Sequence, residues 1–210
     1  MKIPANYSRT IFINCPFDEE YQELFESIIF AILSCGFIPR CAKENINSDE
    51  IRINKIINII KESKYGIHDI SRVEITKDSS LPRFNMPLEL GIFVGCQKYG
   101  NSHDNQKKYL VLDKEQFRYK QFISDISGQD IQGHNNDPKK IISSIREWLA
   151  HVSKKTIPGS SFHIKRYEQF KSELSTLCMK YQWDYDSLNF TEYNRLINEF
   201  IKDKTLEIIK

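Results

Sequence analysis

What this sequence lacks narrows the field first. It has no G-x-x-x-x-G-K-[ST] loop and no G-x-G-x-x-G turn, so nucleotide binding of the usual P-loop or Rossmann kind has no support. No G-x-S-x-G elbow is present, and no C-x5-R phosphate loop follows Cys15, whose thiol is read as buried and structural. The five cysteines are odd in number, scattered and free of any C-x-x-C pair, which argues against a disulfide framework or a structural zinc. His103 and His134 lie in polar stretches without ligand spacing, so no metal site is expected. No apolar run approaches the roughly 20 residues of a membrane span. The opening MKIPANYSRT has no apolar stretch of the secretory type, and the expected location is a reducing cytoplasm. Neither charge sign dominates: 30 basic and 28 acidic residues leave +2, so charge alone points to no nucleic-acid surface.

What is present alternates in a regular way. The 210 residues are 40% hydrophobic, enough for a real core. Thr10–Asn14 (TIFIN) predicts a strand ended by Cys15-Pro16. Asp18 then starts a helix that carries Tyr21, Leu24, Phe25, Ile28, Ile29, Ile32 and Leu33 and stops at Gly36. Phe37–Ala42 predicts a short strand, and Pro39 suggests an edge. Ser48 or Asp49 is the expected cap of a helix with Ile53, Ile56, Ile57 and Ile60 on one face. Tyr65–Ile70 and Tyr109–Asp113 predict two more strands. A polar loop is expected over Val73–Pro82, a short helix over Tyr119–Ile126 and a weak fifth strand over Gln129–Gln132. Ile141, Ile142, Ile145, Trp148, Leu149 and Val152 make a further amphipathic helix.

This alternation implies an α/β fold of the flavodoxin-like, doubly wound kind: about five parallel strands in the order 2-1-3-4-5. It would occupy residues 1–155, with Thr156–Ser161 as linker and residues 160–210 as a C-terminal helical extension. The extension shows two apolar stripes, Tyr167, Phe170, Leu174, Leu177 and Tyr181, then Tyr193, Leu196, Ile197, Phe200 and Ile201. A helical pair this small must cover them against the sheet domain or a second copy, and a homo-oligomer is the expectation.

Ligands of such sheets bind beyond the carboxyl ends of the strands. Those ends carry Asn14, Phe17 and Asp18, then Arg40, then His68, Asp69 and Arg72. The helix after the third strand opens with Arg83, Asn85 and Met86; Asn85 is a candidate cap and Pro87 fits its first turn. Glu89 stands out in the run RFNMPLELGIFVG, a charge among residues that should pack. It is either an acid favoured by the helix dipole and facing solvent, or a carboxylate in an apolar wall facing a cleft. His68 and Asp69, adjacent in a strand, point to opposite faces and form no ready dyad.

Glu89-Leu90-Gly91, heading the helix after a strand that ends in Asp69, resembles the E-[LI]-G motif of the nucleoside 2-deoxyribosyltransferases. The layout is also similar to the TIR-type NAD hydrolases. FINCPFDEEY, YGIHDIS and RFNMPLELG resemble bacterial relatives of both, often discussed with antiphage defence. The resemblance covers roughly residues 9 to 150. It implies cleavage or transfer at the N-glycosidic bond of a nucleoside, nucleotide or NAD. Glu89 would be nucleophile or oxocarbenium stabiliser, and Asp69 an acid touching sugar or base. Asn14, Phe17, Asp18, Arg40, His68, Arg83, Asn85 and Met86 would bind substrate. No cofactor is implied; NAD would enter as substrate, and a defence-system partner protein is an expectation of the resemblance alone. Two departures stand out: Phe84-Asn85-Met86-Pro87 replaces the Gly-Thr pair of the transferases, and Asn85 stands where TIR enzymes carry Trp. A module of the same fold that senses a nucleotide signal without turning it over is the alternative, and an assembly protein using its helical tail is the third.

Overall fold

The computed structural model describes residues 4–44, 50–74 and 82–209, with side chains to Lys204. Five strands form one all-parallel sheet, β1 (Thr10–Asn14), β2 (Ile38–Cys41), β3 (Tyr65–Asp69), β4 (Lys108–Asp113) and β5 (Gln132–Gly133), in the order β2-β1-β3-β4-β5. Every residue of β1 and β3 is buried, as apolar strands covered on both faces require. Pro39 lies in β2, at the edge of the sheet, where a missing N–H costs no ladder bond.

Helices α1 (Gln22–Ser34), α2 (Arg52–Glu62), α3 (Asn85–Tyr99) and α4 (Pro138–Ser153) flank the sheet, followed by α5 (Ser160–Tyr181) and α6 (Phe190–Ile209). Before α1 the Asp18 carboxylate accepts the Tyr21 backbone N–H at 3.0 Å, capping a single 3-10 turn that leads into the helix. Gly36, at φ +80°, supplies the left-handed turn after α1.

Several local expectations need correction. The first residue of α3 is Asn85 itself; Phe84 holds the capping position without a side-chain bond. The buried face of α2 is Ile56, Ile59 and Ile60, while Ile53 is exposed, because a helix so rich in isoleucine offers two overlapping stripes. Tyr119–Ile126 is not one helix but two 3-10 turns, Arg118–Gln121 and Ser124–Ile126. The extended φ of −147° at Ile123 separates them. The fifth strand is two residues long and starts at Gln132, pairing only with Leu112 and Asp113. The proposed caps Ser48 and Asp49, and most of the Val73–Pro82 loop, lie outside the described residues.

The C-terminal helices share the core of α1 and α4. Phe30 of α1 meets the rings of Tyr167, Phe170 and Phe200 at centroid distances of 5.3, 5.5 and 6.4 Å. Leu174, Leu177, Tyr193, Leu196 and Ile197 join the same apolar cluster. Polar ties reinforce the seam: Lys171 Nζ reaches the buried Glu26 carboxylate at 2.7 Å, and the Ser34 hydroxyl lies 2.6 Å from His163 Nδ1. Both stripes thus find cover within the chain, and their apolarity no longer calls for a second protomer.

Candidate functional site

A cleft of about 320 Å³ opens where the loop after β1 meets the first turns of α3 and the start of α2. Asn14, Phe17, Asp18, Arg83, Asn85, Met86 and Glu89 all line it, together with Cys15, Pro16 and Arg52. Seven of the ten residues singled out from the sequence therefore converge. The chain arrives there because β1 ends at Asn14 and Pro16 turns it away, while α3 begins beside it.

Asn14 fixes this junction. Its side-chain amide donates to the Met86 carbonyl at 2.8 Å and stands 3.0 Å from His68 Nδ1. One side chain thus ties the end of β1 to the first turn of the helix that carries Glu89. Since the amide is a donor, His68 Nδ1 accepts and the proton lies on Nε2.

Glu89 is only 8% exposed and lies in the wall of the cleft. Burial pushes its carboxyl up to about 7, against a weaker downward pull from Arg52. At neutral pH the group is divided between acid and carboxylate, so it can deliver a proton, take one, or, with a cation beside it, stand as an anion. Around it the rim is balanced: Asp18 pairs with Arg83 at 3.1 Å, and Arg72 with Glu20 at 2.7 Å.

Three of the sequence-selected residues are elsewhere. Arg40 is bound to Glu44 at 2.5 Å and to Glu62 at 3.0 Å, outside the cleft. Its apparent availability vanishes because the chain places both acids beside it. His68 is fully buried among Phe12, Phe93 and Tyr109, and burial lowers it to about 3, so it is a neutral core ring that touches the cleft only through Asn14. Asp69 points to the other face of the sheet and is also fully buried.

Asp69 has its own set of partners. The Tyr21 hydroxyl donates to Oδ2 at 2.5 Å and the Ser71 N–H to Oδ1 at 2.8 Å. His134 Nε2 is 3.1 Å from Oδ2, close but without hydrogen-bond alignment. Burial pushes the Asp69 carboxyl up, and these three contacts outweigh it, holding the group below the ordinary carboxylate range. The Asn136 N–H donates to His134 Nδ1 at 3.0 Å, which leaves the Nε2 proton facing Asp69.

Sequence reasoning set His134 aside as a loop histidine without ligand spacing and passed over Arg52. His134 follows β5 directly, and the rule that ligand-side residues follow strands would have marked it had the strand been placed correctly. Arg52, in the first turn of α2, carried no comparable signal. Cys15 lines the cleft but is no nucleophile: burial, with Asp69, Cys41 and Glu89 nearby, drives its thiol well above the ordinary value. Among the described residues no group of His, Cys, Asp and Glu is placed to hold a metal ion, and no helix is long and apolar enough to cross a membrane. No protein-family model, curated protein or solved structure matches the chain.

Proposed function

We propose that the chain cleaves, or transfers at, the N-glycosidic bond of a nucleoside, nucleotide or NAD, with Glu89 as the reacting carboxylate. One observation carries this reading: a buried carboxyl, held near 7, in the wall of a cleft between the carboxyl end of β1 and the first turns of α3. Loss of a base from ribose passes through an oxocarbenium-like state, and a carboxylate against the anomeric carbon stabilises or captures that cation. The cationic transition state itself favours the ionised form of Glu89, so the group gains charge when charge is useful. Water as acceptor gives hydrolysis; a second base gives transfer.

The position of Asp69 shapes the proposal. It faces Tyr21 and His134 rather than the cleft, so it supports the sheet end behind Cys15 instead of holding the sugar. A cleft whose second carboxylate, Asp18, is paired with Arg83 also suits the second reading, a nucleotide-sensing module without turnover.

The deciding experiment incubates the protein with NAD and a panel of nucleosides and nucleotides, followed by chromatography for free base. Release that falls about 10²–10⁴-fold in Glu89→Gln is the expected result. Equal rates in the variant would remove Glu89 from the chemistry, and tight binding with no release from any compound would favour the sensor.

A further inference from the structure

A second cavity of about 480 Å³ opens between α1, the segment after β2, the start of α2 and the connection from α5 to α6. Its floor is apolar: Phe25 and Ile29 come from α1, Leu188 and Phe190 from the C-terminal part of the chain. The Phe25 and Phe190 rings lie nearly parallel, 6.1 Å apart between centroids. Its other wall is cationic. Lys55 is buried with Nζ donating to the Ala42 carbonyl at 2.9 Å, and Lys43 and Arg52 stand at the mouth. Of the two acids among the described residues that line it, Glu26 is matched by Lys171 and accepts from the hydroxyls of Tyr185 and Tyr193, and Glu50 stands near Lys43 and Arg52.

This cavity adjoins the Glu89 cleft. Arg52 lines both. Phe17, a wall of the Glu89 cleft, meets Phe25, a wall of the second cavity, edge to face at 5.2 Å. Lys43 Nζ sits over both rings, 5.0 Å from one centroid and 5.7 Å from the other. The divide between the cavities is thus a pair of aromatic rings topped by Lys43, with Arg52 lining the cavity on each side.

We propose that the two cavities form one substrate site, in which the outer cavity takes a ring-bearing half of the substrate and the cationic ridge takes the phosphates that link it to the reacting end. The inner end rests on the reading of Glu89 given above. A neutral nucleoside would occupy the inner cleft alone and bring no negative charge to Lys43 and Arg52. A phosphate on the ridge would meet charge-assisted donors there, and a flat base beyond it would cover the floor of Phe25, Ile29, Leu188 and Phe190. The outer volume alone is within the range of about 300–1,000 Å³ typical of small-molecule sites. On this assignment the C-terminal helices determine specificity, since without Leu188 and Phe190 the outer cavity has no floor on that side.

The test uses the full chain carrying Glu89→Gln, so that binding is read without turnover, and titrates ADP and adenosine by calorimetry. ADP should bind at least about tenfold more tightly than adenosine. Lys43→Glu, on an exposed side chain, should erase that preference. Leu188→Trp, which fills the outer cavity from a half-buried position, should weaken ADP, with circular dichroism confirming the fold; Lys43→Glu decides the matter should Leu188→Trp fail to fold. ADP binding no tighter than adenosine, or indifferent to both substitutions, would overturn the proposal. The two readings fail separately. Absence of base release from the wild type alongside Lys43-sensitive ADP binding removes the glycosidic reading and leaves the outer site standing.

Discussion

Glu89 couples folding to pH because the native state binds its proton more tightly than the unfolded chain does. The carboxyl is raised from 4.5 to about 7, so across that window the folded form holds more protons and stability falls as pH rises. The shift corresponds to at most about 3 kcal/mol, fully lost above pH 7. Glu89→Gln removes that cost: above pH 7 the variant should melt at a higher temperature than wild type, with the difference closing towards pH 4.5. Thermal melts from pH 4.5 to 9 check this, and a variant less stable than wild type at pH 8 would show that the carboxylate has a partner. His68 acts in the opposite direction. Its folded value of about 3 lies below the ordinary 6.5, so its contribution is present above 6.5 and lost as pH falls towards 3. Asp69, held below its ordinary range, likewise stabilises at higher pH and loses that contribution in acid. Asp69→Asn should therefore lower the melting temperature at pH 7 by breaking the Tyr21 and His134 contacts, in the range of about 1–3 kcal/mol for a buried hydrogen-bonded group. An unchanged melt with lost turnover would instead place Asp69 in contact with substrate. At this scale the sequence was informative about Glu89, because a lone charge in an apolar run is visible without neighbours. It was uninformative about Arg40, since its partners Glu44 and Glu62 are set by the tertiary fold. The opposite faces of His68 and Asp69 followed from strand periodicity alone; their partners did not.

The element that positions Glu89 is α3, and its seat against β3 is tight. A Cβ added at Gly66 would stand 2.6 Å from His68 Nε2 and 2.9 Å from Phe93 Cε2, both closer than packing allows. Phe93 lies one helical turn beyond Glu89, so pushing its ring displaces the wall of the cleft. Gly66→Ala should destabilise by about 1–3 kcal/mol through overpacking and lower turnover as well. Denaturant unfolding and the base-release assay measure the two effects; a fully stable Gly66→Ala protein would mean that α3 shifts without strain. The strands were legible because short β-branched and aromatic runs between helical patterns leave few alternatives, as TIFIN, closed by Cys15-Pro16, illustrates. β5 was misplaced because two residues hold too little pattern, and what fixes them is pairing to Leu112 and Asp113. The Tyr119–Ile126 helix failed for a related reason: so short a segment carries little pattern, and the backbone dihedrals at Ile123 interrupt it.

Across the whole molecule, α5 and α6 complete the apolar face of α1 and α4 rather than standing beside a finished domain. Ending the chain at Gly159 would uncover Phe30 and the neighbouring apolar residues of α1 and α4. Light scattering should then show aggregation, and circular dichroism a cooperative melt that is lowered or lost. A truncated protein that stays soluble and melts like the parent would show that the sheet closes its core alone. The stripes themselves were readable from the sequence; the surface that covers them was not, since stripe-to-sheet and stripe-to-second-copy packing share one pattern. The contact of Phe30 with Phe200 carries a further consequence for biosynthesis. The two rings are separated by most of the chain, and at roughly 5–20 residues per second a ribosome takes on the order of ten seconds or more to travel between them. During that interval α1 has emerged with its aromatic face uncovered, so folding of this core waits for the late helices. Slowing translation therefore lengthens the exposure of that face to aggregation instead of helping the core to form.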